Sequence, residues 1–204
     1  MVLFLLAILT SIPVAWIYAA PIIGLGGIHH HARHEALIFV HAVGGVGMLG
    51  LGAASLYIGW TRRAFKFHRW VGYSYLLVGG TGAAAALSLS VLAPHEPRSL
   101  YVATGTLAVV WLAVALMAFR AAHNRRFDSH RDWMIRSYVL SWTFVGCRMA
   151  NALSLFPSLG AESVAAQIWM FWIVPYLICE MALQWTRGAP GSSSARDQAL
   201  YPVN

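Results

Sequence analysis

Charge is what this chain has least of. Asp, Glu, Lys and Arg together make up 10% of its 204 residues, against about a quarter in ordinary soluble domains. That is too little to coat a water-facing globule whose composition is 59% hydrophobic. Acidic residues are the rarer sign, seven against fourteen Lys and Arg. Cysteine is nearly absent as well. Cys147 and Cys179 both lie in apolar segments and form no CxxC pair, which excludes a disulfide framework and leaves two thiols that behave as small hydrophobes. No Ser/His/Asp or metallo-hydrolase signature is present, so a soluble-type hydrolase is not expected, and whether the chain is an enzyme stays open. The opening MVLFLLAILTSIPVAWIYAAP lacks a charged n-region and places Tyr18 where a cut after Ala20 would want a small residue. It reads as a retained first span.

What is present is apolar length. Mean hydropathy is +0.63, and six stretches, residues 2–23, 36–60, 70–93, 100–122, 133–156 and 164–186, each reach the roughly 20 residues needed to cross about 30 Å of hydrocarbon. The expected fold is an all-α polytopic membrane bundle of six transmembrane helices over residues 1–187, followed by a Gly/Ser/Pro-rich mobile tail, 188–204. Short gaps make successive spans antiparallel neighbours. Arg62, Arg63, Lys66 and Arg69 fill the second gap; Arg120, Arg125, Arg126, Arg131 and Arg136 fill or flank the fourth; Arg187 and Arg196 follow the last span. Only Arg33 and Arg98 fall on the other side, with Arg148 inside a span. This asymmetry reports topology rather than a nucleic-acid partner, and it puts both termini and both basic loops on the cytoplasmic side of a cell inner membrane.

The two basic gaps resemble each other. R62-R-A-F-K-F-H-R-W-V-G-Y-S-Y-L-L and R125-R-F-D-S-H-R-D-W-M-I-R-S-Y-V-L share Arg-Arg, Phe, His-Arg, Trp and Ser-Tyr-x-Leu in order. Duplication of a two-helix hairpin, spans 2–3 and spans 4–5, about an axis along the membrane normal accounts for this. The interfacial preference of Arg, His and Trp is the rival explanation. Under duplication His68 and His130 sit at equal depth.

Nine histidines in so apolar a chain ask for a role, because ionisable groups in spans are costly and often functional. Beyond His68 a face of Gly72, Tyr75, Gly79, Gly82, Ala83 and Ala86 runs along the third span. Beside His41 in the second span lie Gly44, Gly45, Met48 and Gly52. Small residues below an imidazole leave room for a flat haem with axial histidines, or else let helices approach closely in lipid. The fifth span carries His130, Ser137, Ser141 and Arg148 on one polar face, with Asn151 beyond, and this face must point into the bundle. Arg148 lies at the depth of His41, where it could meet a haem propionate, a semiquinone or a substrate carboxylate, or hydrogen-bond helix-end carbonyls. Glu180 is the deep acidic residue, about two turns from that depth, so a direct Arg148–Glu180 bridge is not expected. The outer HHHARHE segment holds His30 and His34 at a spacing able to bind zinc or copper on a helix; a solvated loop is the plainer reading.

The segments K66-F-H-R-W-V-G-Y-S-Y and S129-H-R-D-W-M-I-R-S-Y-V-L-S-W-T-F-V-G-C-R, with a histidine in the preceding helix, resemble the predicted bacterial membrane proteins grouped as domain of unknown function 2306. The resemblance spans about residues 36–186. It falls on His41, His68, Arg69, Trp70, His130, Arg131, Trp133, Met134, Arg136, Ser137 and Arg148, and it implies an all-helical membrane bundle without implying an activity. Two functions follow as expectations. In one, a b-type haem electron carrier, linked to a membrane quinone, uses His68 and His130 as ligands of an inner haem. Arg69 and Arg131 then approach its propionates, and His41 with Arg148 marks an outer site. In the other, the chain is a non-redox accessory subunit of a membrane complex or a small-solute or metal-ion transporter. The bilayer is a partner in both.

Overall fold

The structure, a computed structural model, describes residues 34–92, 98–152 and 161–188. The expected first span, His29 to His31 and the tail lie outside these residues. Among those described, all regular structure is helical: α1 (Glu35–Thr61), a 3-10 turn (Phe65–Phe67), α2 (His68–Leu92), α3 (Arg98–His123), α4 (Phe127–Ser141), α5 (Thr143–Ala152) and α6 (Ala161–Gly188). Four segments are long and apolar enough to cross a membrane: Ala36–Thr61, Phe65–Leu92, Arg98–His123 and Ser163–Thr186. The expected spans 2, 3, 4 and 6 therefore appear as α1, α2, α3 and α6.

The expected fifth span, 133–156, does not appear as one helix. It starts earlier, at Phe127, and is interrupted at Trp142, whose N–H bonds back to the Val139 carbonyl at 3.1 Å. The cause is in the sequence. Ser137, Ser141 and Thr143 each donate a side-chain hydroxyl to a carbonyl of the preceding turn, those of Met134, Ser137 and Leu140, at 2.9, 2.9 and 2.7 Å. Such back-bonding competes with the main-chain ladder and bends helices. Counting apolar residues registers the length of the segment and not this competition.

Helix ends follow local chemistry. α3 closes on Arg125 in the left-handed conformation (φ 57°), with the Arg126 N–H returning to the Ala121 carbonyl at 2.9 Å, a Schellman-type end. Arg120 and His123 in its last turn and Asp128 in the first turn of α4 match the signs of the helix dipoles.

α1 packs along α2, α2 along α3, α3 along α4, and α4 back against α1, closing a four-helix bundle; α6 lies outside it against α3, α4 and α5. α2 and α4 are thus diagonal. The core runs along α3, whose Ala103, Trp111 and Ala118 are buried, and takes in Tyr75, Met134, Leu140 and Ile168. At the bundle centre the Tyr75 hydroxyl donates to Ser137 Oγ at 3.0 Å and Trp111 Nε1 donates to Ser141 Oγ at 3.1 Å. The polar face of α4 thus points inward, as expected, and its hydroxyls are satisfied by the two aromatic side chains that cross the core.

Candidate functional site

His68 opens α2 and His130 lies in the first turn of α4. Although their helices are diagonal, the two rings meet at one end of the bundle, with centroids 6.3 Å apart and planes at 84°. Both side chains are half-buried. His130 Nδ1 is 2.9 Å from the Ala118 carbonyl of α3. As the N–H donor of that bond, Nδ1 leaves the Nε2 lone pair available. The His68 ring has the Ser55 carbonyl of α1 in the matching place, but its buried Nδ1 makes no hydrogen bond. Phe65, from the 3-10 turn, stacks on His68 with centroids 5.2 Å apart and planes at 10°, and the Arg62 guanidinium lies over the phenyl ring at 4.9 Å.

The ring-centre separation is the one that a metal held between two imidazoles would need. Ligands each about 2 Å from a shared metal through ring nitrogen put ring centres a little over 6 Å apart, and a ligating histidine ordinarily donates its other nitrogen to a backbone carbonyl. Arg69 is exposed one residue beyond His68. Arg131 is 66% exposed at its side chain and 3.6 Å from Asp132 Oδ1. Both side chains lie at this rim, Arg131 beside the Asp132 carboxylate.

His41 is placed differently. It sits roughly 20 Å away along the bundle, judged by the fourteen residues of α2 between His68 and Gly82, whose carbonyl lies 3.0 Å from His41 Nδ1. Phe144 meets its ring edge-on at 5.5 Å. Arg148, half-buried on α5, is within electrostatic reach of His41, so the expected similarity of depth holds. Beside His41 is a cavity of about 40 Å³ lined by Met48, Gly82, Thr104, Trp111 and Phe144 among others. That is space for one or two waters, and a porphyrin does not fit it. Several of the small residues along these faces are covered by neighbours, while Gly45 and Gly72 have open space beside them. A Cβ on Gly44 would meet Gly82 Cα at 2.7 Å, one on Gly79 would meet Trp111 at 2.4 Å, and one on Gly52 would meet Tyr138 at 2.6 Å. Close packing therefore accounts for Gly44, Gly52 and Gly79. His34 stands at the start of α1, while His30 falls outside the described residues. Among the described residues no group of three or more His, Cys, Asp or Glu side chains converges on a common point.

Sequence reasoning missed one ion pair. Arg136, counted above with the basic loop, is buried on α4, and its Nε and a terminal nitrogen both contact Glu180 Oε2, at 2.8 and 2.7 Å. Glu180 Oε1 accepts from Gln184 at 2.8 Å, and the guanidinium lies over the Trp133 ring at 4.8 Å. The available signal was Glu180 itself, since a carboxylate in a span needs a cation at its own depth, and α4 offers Arg136 there rather than Arg148.

The chain belongs to the family described as predicted membrane protein (DUF2306), whose model matches residues 38–183. No curated protein and no solved structure matches it.

Proposed function

We propose that this protein is a membrane-embedded electron carrier in which His68 and His130 hold one b-type haem at the end of the bundle that carries the basic loops. The observation behind this reading is the meeting of two imidazoles from diagonal helices at 6.3 Å. α2 and α4 approach each other here through side chains rather than along their backbones, so the gap between them is bounded by side chains that can move. The Ala118 carbonyl fixes the His130 ring and its tautomer. The buried, unbonded Nδ1 of His68 marks a polar atom that this fold does not itself satisfy. Arg69 and Arg131 would neutralise propionates at the rim, and Phe65 shields the outer face of His68 from water. Haem, when bound, supplies one-electron redox chemistry. A membrane quinone is a fitting exchange partner for a carrier at this depth.

Hairpin duplication fits the same picture. α1 is diagonal to α3 and α2 to α4, as a two-fold axis along the bundle requires, and Ser55 and Ala118 stand at corresponding places beside the two histidines. The positive-inside rule assigns this end to the cytoplasm. An absorption spectrum tests the reading. Protein expressed with ample haem supply and reduced with dithionite is expected to show sharp bands in the green. A spectrum without them removes the haem assignment, and bands that survive both His68→Ala and His130→Ala remove the paired ligands.

The interruption at Trp142 favours a second reading, a small-solute transporter. Broken helices at membrane depth often border substrate sites, and Leu140 and Phe144, on either side of the break, both line the cavity beside His41. Solute uptake into vesicles that persists in protein lacking haem bands would favour this reading over the first.

A further inference from the structure

The two turns at the histidine end share an unusual choice of residue. α1 is closed by Arg62 and α3 by Arg125, each with φ 57°. A residue with a Cβ is strained in this left-handed region, and helix ends of this kind ordinarily use glycine. Ala64 in the first turn is left-handed as well (φ 55°), so it is the recurrence of arginine at corresponding positions of both turns, rather than strain by itself, that points to the guanidinium groups. Neither is drawn into the core. Arg62 lies on the half-exposed ring of Phe65 at 4.9 Å, and Lys66 lies on Phe67 at 5.0 Å. The Arg63 N–H is tied to Thr61 Oγ1 at 3.3 Å, which fixes the turn while its side chain stays exposed. Arg125 and Arg126 are exposed as well, with Asp128 the exposed carboxylate on the same rim.

The level of these turns identifies the anion. Trp60 and Trp70, 84% and 73% exposed, flank the first turn, Phe127 flanks the second, and Trp185 lies near the end of α6. Exposed tryptophans at the ends of spans mark the headgroup layer of a bilayer, where the abundant anion is phospholipid phosphate. We propose that the Arg62–Arg63 and Arg125–Arg126 turns, with Lys66 and Arg131, bind the phosphates of anionic phospholipids in the leaflet at the His68/His130 end. Apart from Arg131, which the haem reading also uses, the site is independent of whether the histidines hold haem. In this placement Phe65 and Phe67 meet the acyl boundary and the exposed arginines stand at the level of the phosphates.

The left-handed arginines give the test two arms of opposite sign. The full-length protein is placed in nanodiscs of phosphatidylcholine, with or without phosphatidylglycerol, and unfolding is followed by tryptophan fluorescence. Wild type is expected to gain a few degrees in Tm from phosphatidylglycerol, and high salt should shrink that gain. The double variant Arg62→Gly/Arg125→Gly is expected to be the more stable protein in neutral lipid, because glycine relieves the backbone strain, yet to lose most of the gain. An equal gain in wild type and variant overturns the proposal. A variant less stable than wild type in neutral lipid also overturns it, because the arginines would then be holding protein contacts. Inorganic phosphate at matched ionic strength, added to neutral nanodiscs, is expected to do nothing; stabilisation equal to that from phosphatidylglycerol would assign the turns to soluble phosphate instead.

Discussion

The two ends of the bundle each carry a buried or half-buried histidine whose Nδ1 faces a carbonyl of a neighbouring helix, Ala118 for His130 and Gly82 for His41. Among the described residues, only one end brings a second imidazole to it. At the His130 end the diagonal helix supplies His68. At the His41 end the diagonal helix α3 supplies Thr104, across a cavity of about 40 Å³, and of the glycines on these faces Gly44, Gly79 and Gly52 are pressed against Gly82, Trp111 and Tyr138. A carbonyl clamp on a histidine is therefore a weak sign of ligation. The partner across the bundle axis decides whether a histidine belongs to a centre or to the packing.

The largest expected effect breaks that comparison directly. His68→Ala and His130→Ala should each abolish the reduced haem bands, whereas His41→Ala should keep them and cost about 1–2 kcal/mol of stability through the lost bond to Gly82. Reduced-minus-oxidised spectra together with thermal unfolding of the three variants separate these outcomes. Loss of the bands in His41→Ala alone would reverse the roles of the two ends.

The next effect concerns what braces the His130 end from outside the four helices. Arg136 is buried, while Glu180 keeps about a third of its side chain exposed. Removing the cation then strands a partly desolvated carboxylate. Arg136→Ala is expected to cost about 2–4 kcal/mol, less than for a fully buried pair because water still reaches Glu180. Denaturant titration in detergent measures this, and the double variant Arg136→Met/Glu180→Met should recover a large part of it. A single-variant loss no larger than that of the exposed Arg98→Ala would mean the pair contributes little.

Much of the described fold was legible in the sequence, because lipid requires long apolar helices and the chain has them in order. The inward face of α4 was legible for the same reason, since Ser137 and Ser141 have no satisfactory place in lipid. The break at Trp142 was not legible, because it depends on hydroxyls that choose carbonyls of the preceding turn over other partners. Arg136 was misjudged because charge near a span end looks the same whether it meets water or Glu180. The glycine faces were legible as small but not as filled. What fills the place beside Gly79 is Trp111, which comes from a helix whose position relative to α2 no local pattern specifies.

The smallest effect sharpens the contrast at the His41 end, where adjacent glycines of α1 meet opposite surroundings. A methyl group on Gly44 would sit 2.7 Å from Gly82 Cα and 3.0 Å from the Val78 carbonyl, both main-chain atoms that yield only if α1 and α2 separate. A methyl group on Gly45 would meet nothing within 4 Å. Gly44→Ala is therefore expected to lose about 1–3 kcal/mol by overpacking. Gly45→Ala should be neutral or gain up to about 1 kcal/mol from the stiffer unfolded chain. The two substitutions add the same atoms to neighbouring residues of one helix, so lipid, helix propensity and hydrophobicity cancel in the difference. Thermal unfolding of both variants then reads the α1–α2 contact alone. If Gly45→Ala proved as damaging as Gly44→Ala, the glycines would be needed for space beside His41 rather than for helix contact, and the two ends of the bundle would be more alike than this packing implies.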